Sequence, residues 1–422
     1  MSPMKDILEQ STLRLPSGWR TVLWMCVALG VLMFIIGLAT GTAQRTWQAF
    51  LINTVFWGGM AQAGVMLAVI WQITDAKWGR PYKRIAEGFG AFLPVAFVMF
   101  VLVFFGAKYL YAWVAHPMHE KAGYLNMGFF VTRNVIGLLV LFGMSHWFIR
   151  TSLAPDLSLA RRLIPGWGGG FAEHMLKGFG EHDQEVVRLE KRSRRLAPAV
   201  GILYAFIITM VAFDYVMSLD QEWYSTLFGV YFFVGNLYSA LTLMLIIVTV
   251  ARRLPGLSEY MTINRFNDLA KLTFAISMLY TYMAFSQYLV IWYSNLPEEA
   301  PFLVIRSIDP TPWKPLFWTL VVVLFGVPFL GLMSRTVSRI PVLVSAIAGV
   351  LWLGQWWAHY LLVVPSVQVS HGGDFHFVFG LHEILMTVGF AGMFFLSFFG
   401  FMSRVPVLPI SDKHLCKSWH GH

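Results

Sequence analysis

Asp214, in the run Ala212-Phe213-Asp214-Tyr215-Val216-Met217-Ser218-Leu219-Asp220, closes an apolar stretch long enough to cross a membrane. A carboxylate there is costly unless it is paired or faces a wet cavity, so such residues mark ion, proton or substrate sites. Arg133, Gln355, His359, His382 and Glu383 fall in other apolar stretches and towards the same side. Carboxylate, imidazole and guanidinium groups in an apolar surround suit a quinol head group, whose hydroxyls need hydrogen-bond partners and whose oxidation releases protons to a base. Two readings of these residues stand. Arg133, Asp214, His359, His382 and Glu383 form a quinone-facing cluster, or Asp214 and Arg133 are an ion pair that holds two helices together.

A second set of polar residues lies towards the opposite side. Asp268 and Lys271 share one face of the seventh apolar stretch at i, i+3 spacing, and His146 stands near the inner end of the fourth. With Tyr282 and Asp214 they outline a candidate proton path, to which Tyr280, Ser286 and Gln287 add relay groups. The alternatives are a neutralised pair, a snorkelling lysine and ordinary helix-to-helix hydrogen bonding. His359 and His382 also stand as axial haem ligands, but no paired pattern of small residues surrounds both. No metal site is assigned, and no phosphate-binding loop, dinucleotide fingerprint or Ser/His/Asp arrangement rises above chance.

The elements that must position these groups follow from composition. The chain of 422 residues is 57% hydrophobic and 13% charged, with a mean hydropathy of +0.63. That is an all-α integral membrane protein. A helix crosses a hydrocarbon core in about 20 residues, and ten such windows occur, at 21–40, 48–71, 88–107, 125–149, 197–217, 224–250, 267–293, 315–333, 341–364 and 380–403. They are apolar on every side, which excludes the alternating strands of a barrel. The predicted organisation is an N-terminal segment 1–20, helices one to four over 21–149, a connector over 150–196, helices five to ten over 197–403, and a tail 404–422.

Orientation follows from lysine and arginine. With the N-terminus cytoplasmic, most of the 31 basic residues fall in the tails and inner connections, while Arg45, Lys108, Lys121, Arg306 and Lys314 fall outside. The positive-inside rule then places both termini, the connector and the tail in the cytoplasm. It also accounts for the net charge of +9 without nucleic acid. The cluster Arg188, Lys191, Arg192, Arg194 and Arg195 reads as an anchor beside anionic lipid. The second part of the connector carries opposite-charge pairs such as Glu185 with Arg188 and is predicted to extend the fifth helix. Acidic and histidine residues, among them Asp374 with His371 and His376, populate the outer loops. The only cysteines, Cys26 and Cys416, supply no disulfide framework, haem attachment motif or iron–sulfur ligand set.

Two stretches carry a resemblance. Asp214-Tyr-Val-Met-Ser-Leu-Asp220 followed by Trp223-Tyr-Ser-Thr-Leu-Phe-Gly-Val-Tyr-Phe-Phe233 resembles the large membrane subunits of bacterial alternative complex III. So does Asp268-Leu-Ala-Lys-Leu-Thr-Phe274 running into Ala284-Phe-Ser-Gln-Tyr-Leu-Val-Ile-Trp-Tyr-Ser-Asn-Leu-Pro-Glu-Glu299. These subunits are similar to the NrfD-like membrane subunit of polysulfide reductase. The resemblance implies two four-helix bundles, helices two to five and six to nine, flanked by helices one and ten. It implies a multi-pass subunit of the bacterial inner membrane in a respiratory quinol:electron-acceptor oxidoreductase.

The implied partners are a homologous quinol-oxidising membrane subunit, an iron–sulfur subunit, c-type cytochrome subunits, lipids and a terminal oxidase. Haem c and iron–sulfur clusters would lie in those partners, with quinol or menaquinol as the shared substrate. In Phe56-Trp-Gly-Gly-Met-Ala-Gln-Ala-Gly64, Gln62 stands where the quinol-oxidising type tends to carry a histidine, which favours the F-type, the second quinone-binding subunit. Helix nine, Gly354-Gln-Trp-Trp-Ala-His-Tyr360, lacks an acidic residue expected near that point. A secondary transporter and an inert membrane scaffold are the rival readings, although no matched pair of broken helices marks two transporter halves.

Overall fold

The structure, a computed structural model, describes Lys5, Leu8 and residues 13–308, 310–372 and 375–412. Asp374, Cys416 and the rest of the tail beyond Asp412, like most of the first twelve residues, lie outside the described residues. Among the described residues there are helices and no strands, and ten helices are long and apolar enough to cross a membrane. They are α1 Ser17–Ala39, α2 Ala43–Ile73, α3 Lys77–Leu110, α4 Met127–Leu163, α5 His182–Leu219, α6 Phe228–Ala251, α7 Ile263–Ser294, α8 Lys314–Gly331, α9 Pro341–Ser370 and α10 Leu381–Met402.

Each window found by hydropathy lies on one of these helices, and the differences sit at their polar ends. α3 begins eleven residues before its apolar window, because Arg84 and Glu87 are buried, and Lys83 half-buried, among protein partners rather than left in a loop. α4 runs on through Pro155 to Leu163, so the first part of the predicted connector is helical. The second part begins α5 at His182, in line with its charge pairing, and Arg188 does bond Glu185 at 2.9 Å. Local signals account for some ends: the Asn126 side chain accepts from Phe129 N at 2.9 Å to open α4, and Asn295 in the left-handed region closes α7.

α2 and α6 are buried almost throughout and form the centre. α2 packs on α3, α5, α6, α9 and α10, while α6 packs on α5, α7 and α9. α4 lies along α5, and α8 lies against α7 and α9. Small residues let backbones and polar side chains approach, as helix association in a membrane requires. At Gly59 a Cβ would stand 2.4 Å from Asn236 Oδ1, so α2 and α6 meet there only because the position is glycine.

α1 is mostly exposed and is held chiefly by α10. A Cβ at Gly30 would stand 2.7 Å from the Gly389 Cα. A Gly30→Val substitution is therefore expected to cost about 1–3 kcal/mol by overpacking and to lift α1 away from α10. In a Cys416→Ser background, maleimide labelling of Cys26 on α1 should quicken as a result. Unchanged labelling would show that the close approach does not secure α1.

Candidate functional site

Asp214 sits in a single π-turn, Ala212–Val216, that interrupts α5. The widened turn is a feature common at functional sites. Its carboxylate faces α4 and the α3–α4 connection. Arg133 donates from Nε to Oδ2 at 2.7 Å and from Nη2 to Oδ1 at 2.8 Å. Asn134 Nδ2 donates to Oδ2 at 2.6 Å, and the Tyr124 hydroxyl to Oδ1 at 2.9 Å. These four bonds fill the acceptor capacity of a carboxylate. The Tyr124 phenol is pushed up by burial and by the Asp214 charge, so it stays a donor. The Arg133 guanidinium also lies 3.9 Å over the Tyr124 ring and donates to the Tyr124 carbonyl at 2.7 Å. The ion pair between Asp214 and Arg133 is thus present, and it leaves no acceptor site for an incoming hydroxyl.

The other members of the predicted cluster go elsewhere. Glu383 takes Arg45 in a fork, at 2.6 and 2.7 Å, and accepts from Gly380 N at 2.8 Å. His382 Nε2 pairs with Thr46 Oγ1 at 3.0 Å. Both groups therefore tie α10 to α2. His359 is buried within α9, with Nδ1 2.8 Å from the Gln355 carbonyl. The hydrogen bonds of the five residues fall into separate sets, one around Asp214 and Arg133, one around Glu383, and individual bonds at His382 and His359. Gln62, singled out on α2, donates to Ser145 Oγ of α4 at 2.9 Å.

The candidate proton-path residues are spread over the outside of the chain. Asp268 and Lys271 do pair, at 3.3 Å, but both side chains are exposed. Tyr282 is 62% exposed on the same helix, and His146 is exposed on α4 with Nδ1 bonded to the Phe142 carbonyl at 2.9 Å. Nothing inside the chain connects them to Asp214 among the bonds described.

What the structure does bring together is a cleft of about 620 Å³ between α7 and α8. These helices pack against each other along the C-terminal half of α8, from Val322 onward, and the cleft opens beside Phe317–Val321. Phe302, Leu303, Phe317, Trp318 and Leu324 supply apolar walls, and exposed Tyr282 and Phe285 mark its open side.

Its polar groups are few and convergent. Tyr231 of α6 and Tyr280 of α7 stack with ring centroids 4.8 Å apart and share a hydroxyl–hydroxyl bond of 2.5 Å. Gln287 Oε1 accepts from Ser225 Oγ at 3.2 Å. Arg306, from the short helix Ala300–Ser307 between α7 and α8, is only 3% exposed and has no ion-pair partner among the described residues. It is held by the carbonyls of Leu361 at 3.0 Å and Phe302 at 2.5 Å and by Ser366 Oγ at 2.7 Å, with the Phe302 ring 3.7 Å below. Burial pulls its guanidinium below the ordinary range and Asp220 opposes that pull, so a cation stands at the cleft. A mostly apolar cavity of this size with a few oriented donors is the usual form of a small-molecule site. Here it suits an oxygenated ring carried on a long apolar tail.

Tyr280, Tyr282 and Gln287 are among the relay groups expected from the sequence, whereas Arg306 is there only an outer basic residue. Its signal was a lone arginine in a short apolar stretch opened by Pro301. A charged assembly outside the residues singled out in the sequence lies at the other end of the bundle. Arg84 binds Asp156 at 2.7 Å, Ser152 Oγ at 3.0 Å and Glu87, and Asp156 holds Ser411 N at 2.8 Å. The i, i+3 pair Arg84 and Glu87 at the head of α3 was the available clue. Among the described residues, no cluster of three or more histidine, cysteine, aspartate or glutamate side chains is arranged to hold a metal ion. No protein-family model matches this chain, and no curated protein matches it.

Proposed function

We propose that this chain is a membrane subunit of a respiratory quinol:electron-acceptor oxidoreductase of the alternative complex III, NrfD-like kind, and that the α7–α8 cleft is its quinone-facing surface. The observation that carries this reading is the cleft itself. Its walls are built from the two stretches on which the resemblance rests: Trp223, Phe228 and Tyr231 come from one, and Ala284, Phe285, Gln287, Tyr288 and Ile291 from the other. The open side at Tyr282 and Phe285 gives a ligand dissolved in lipid a lateral entry.

The Tyr231–Tyr280 pair, Gln287 and the Arg306 cation, which has no ion-pair partner among the described residues, would orient the ring oxygens, while the aromatic walls would hold the tail. Oxidation of a quinol to a quinone releases two electrons and two protons. The electrons would pass to haem c or an iron–sulfur cluster of a partner subunit, as the chain's cysteines provide neither attachment motif nor cluster ligands. The proposed setting is the bacterial inner membrane with both termini cytoplasmic, where the basic residues fall on the inner side.

The test starts from the native complex. Comigration of this chain with haem c and iron–sulfur polypeptides, together with crosslinking of a photoreactive quinone analogue to Tyr280, Gln287 or Phe285, supports the reading. Within that complex, Tyr280→Phe removes one hydrogen bond of about 0.5–1.5 kcal/mol, which is expected to raise the KM for quinol up to about tenfold. A solitary protein that moves a solute would point to a transporter instead. Unaltered quinol kinetics in Tyr280→Phe and Gln287→Leu, with labelling confined to another subunit, would leave the scaffold role.

A further inference from the structure

Away from the cleft, three buried side chains lie near the crossing of α2, α6 and α9: the Gln355 amide reaches only the Tyr280 hydroxyl, and the polar atoms of Asn236 and His359 Nε2 have no protein partner. The unmet atoms are Asn236 Oδ1 and Nδ2 and His359 Nε2, and the single contact with Tyr280 leaves the Gln355 amide with capacity to spare. Asn236 and Gln355 are fully buried and His359 is 4% exposed. Their positions are tied to one another by the packing. The Asn236 amide lies over Gly59 of α2, and Gln355 Oε1 lies beside Gly235 of α6, where the Tyr280 ring also abuts. The His359 ring, one turn along α9 from Gln355, is flanked by Phe56 of α2 at 5.5 Å and Phe232 of α6 at 5.6 Å.

The hydrogen-bond inventory says what kind of ligand these atoms call for. The Gln355 carbonyl can only accept, so the 2.8 Å contact assigns the proton of His359 to Nδ1 and leaves Nε2 as an acceptor. Each amide presents an acceptor and a donor. Leaving a buried polar atom unmet costs about 1–3 kcal/mol, and native interiors hold few such atoms. A ligand that both donates and accepts, is small enough for a helix crossing and needs no charged partner is water, which typically makes about three bonds to such groups.

We propose that Asn236, Gln355 and His359 enclose a buried water cluster, and that this cluster is joined to the cleft through Tyr280 and Tyr231. The second part rests on the quinone reading of the cleft; the first does not. The Tyr280 ring lies beside the Gln355 amide, and its hydroxyl bonds Tyr231 at 2.5 Å on the cleft wall. A proton accepted by the Tyr231 oxygen releases that hydroxyl's proton to Tyr280. Tyr280 in turn releases its own to a water, and the water passes one to His359 Nε2. One proton moves from the cleft to the crossing, each oxygen ends with the protons it began with, and no electron is transferred.

Cryo-electron microscopy of the intact complex at a resolution that resolves water is the direct test. Peaks within about 3.2 Å of the Gln355 amide atoms and of His359 Nε2 are expected. A dry crossing, with the two amides and the imidazole bonded to one another, overturns the site. Thermal unfolding gives a second measure. Gln355→Leu and Asn236→Leu should lower the midpoint if they displace bonded water, whereas a rise in both variants means that unmet polar atoms were removed, and it overturns the proposal. For the proton step, His359→Phe should lower kcat for quinol oxidation about tenfold or more with KM unchanged, as loss of a proton relay does. Full kcat in His359→Phe rejects the relay. If the native complex oxidises no quinol, the cleft reading fails while water density still decides the site.

Discussion

Arg84→Met is expected to cost about 3–5 kcal/mol of stability, because removing one partner of a buried ion pair leaves the other charge uncompensated. Here two carboxylates would be stranded, since Arg84 serves both Glu87 and Asp156 and all three side chains are 2% exposed or less. Arg84 also spends donors on Ser152, to Oγ at 3.0 Å and to the carbonyl at 2.8 Å. Lysine offers one ammonium in place of a planar fork, so Arg84→Lys should recover little of the loss. The effect should reach the C-terminal segment. Asp156 accepts from Ser411 N at 2.8 Å, and Arg80 pairs with Asp412. Limited proteolysis should therefore cut the chain after Met402 sooner in Arg84→Met than in the wild type. An unchanged melting midpoint together with unchanged protease resistance would sink this account of the assembly.

The second large effect is expected at Asp214. Asp214→Ala strips the carboxylate from Arg133, which is 8% exposed on its side chain, and should also cost about 3–5 kcal/mol. Asp214→Asn keeps an acceptor and should lose less. The double variant Arg133→Met with Asp214→Leu removes both charges, and it should lie much closer to the wild type than Asp214→Ala does, because replacing a whole buried pair by apolar groups is often neutral or stabilising. Unfolding of the wild type, Arg133→Met, Asp214→Leu and the double variant in one detergent measures the coupling as a double-mutant cycle. The same series separates structure from chemistry. With all four acceptor positions of Asp214 taken by Tyr124, Arg133 and Asn134, turnover and proton release in Asp214→Asn should follow its folded fraction. A loss of turnover at undiminished stability would return Asp214 to the proton chemistry.

Together, Asp214 and the cleft change where the candidate chemistry lies. The most conspicuous intramembrane charge is occupied by its neighbours, whereas Arg306, on the short helix between α7 and α8, lines open space with one guanidinium N–H unspent and no carboxylate within bonding reach among the described residues. A functional group needs unspent bonding capacity, and that is a property of the surroundings rather than of the residue. The same distinction applies on α9. Gln355 and His359 share the depth of the Asp214 group, yet Gln355 lies against α6 and Tyr280, and His359 sits between α2 and α6 with Nε2 unmet.

Much of the architecture was legible in the amino-acid sequence alone. Ten helical spans, and the absence of strands among the described residues, follow from runs of apolar side chains, because each helix satisfies its own backbone in lipid and partitions by the sum of its own residues. The pairing of Asp214 with Arg133 was one of two open readings, since a buried carboxylate demands a cation and few were at hand. The choice between those readings came only from the tertiary structure.

Arg45 and Glu383 stand 338 positions apart, and Arg84 and Asp156 stand 72 apart, so no local pattern announces that either pair meets. The polar ends of α3 and α4 ran past their hydropathy windows for the same reason, being stabilised by partners distant in sequence. The cleft is more remote still from local signals, because it is space left where α7 and α8 diverge while the short helix Ala300–Ser307 brings Arg306 to its wall. Hydropathy and charge bias are local sums that a single sequence carries in full. Which groups find partners, and which are left with bonds to offer, depends on helix faces meeting in three dimensions.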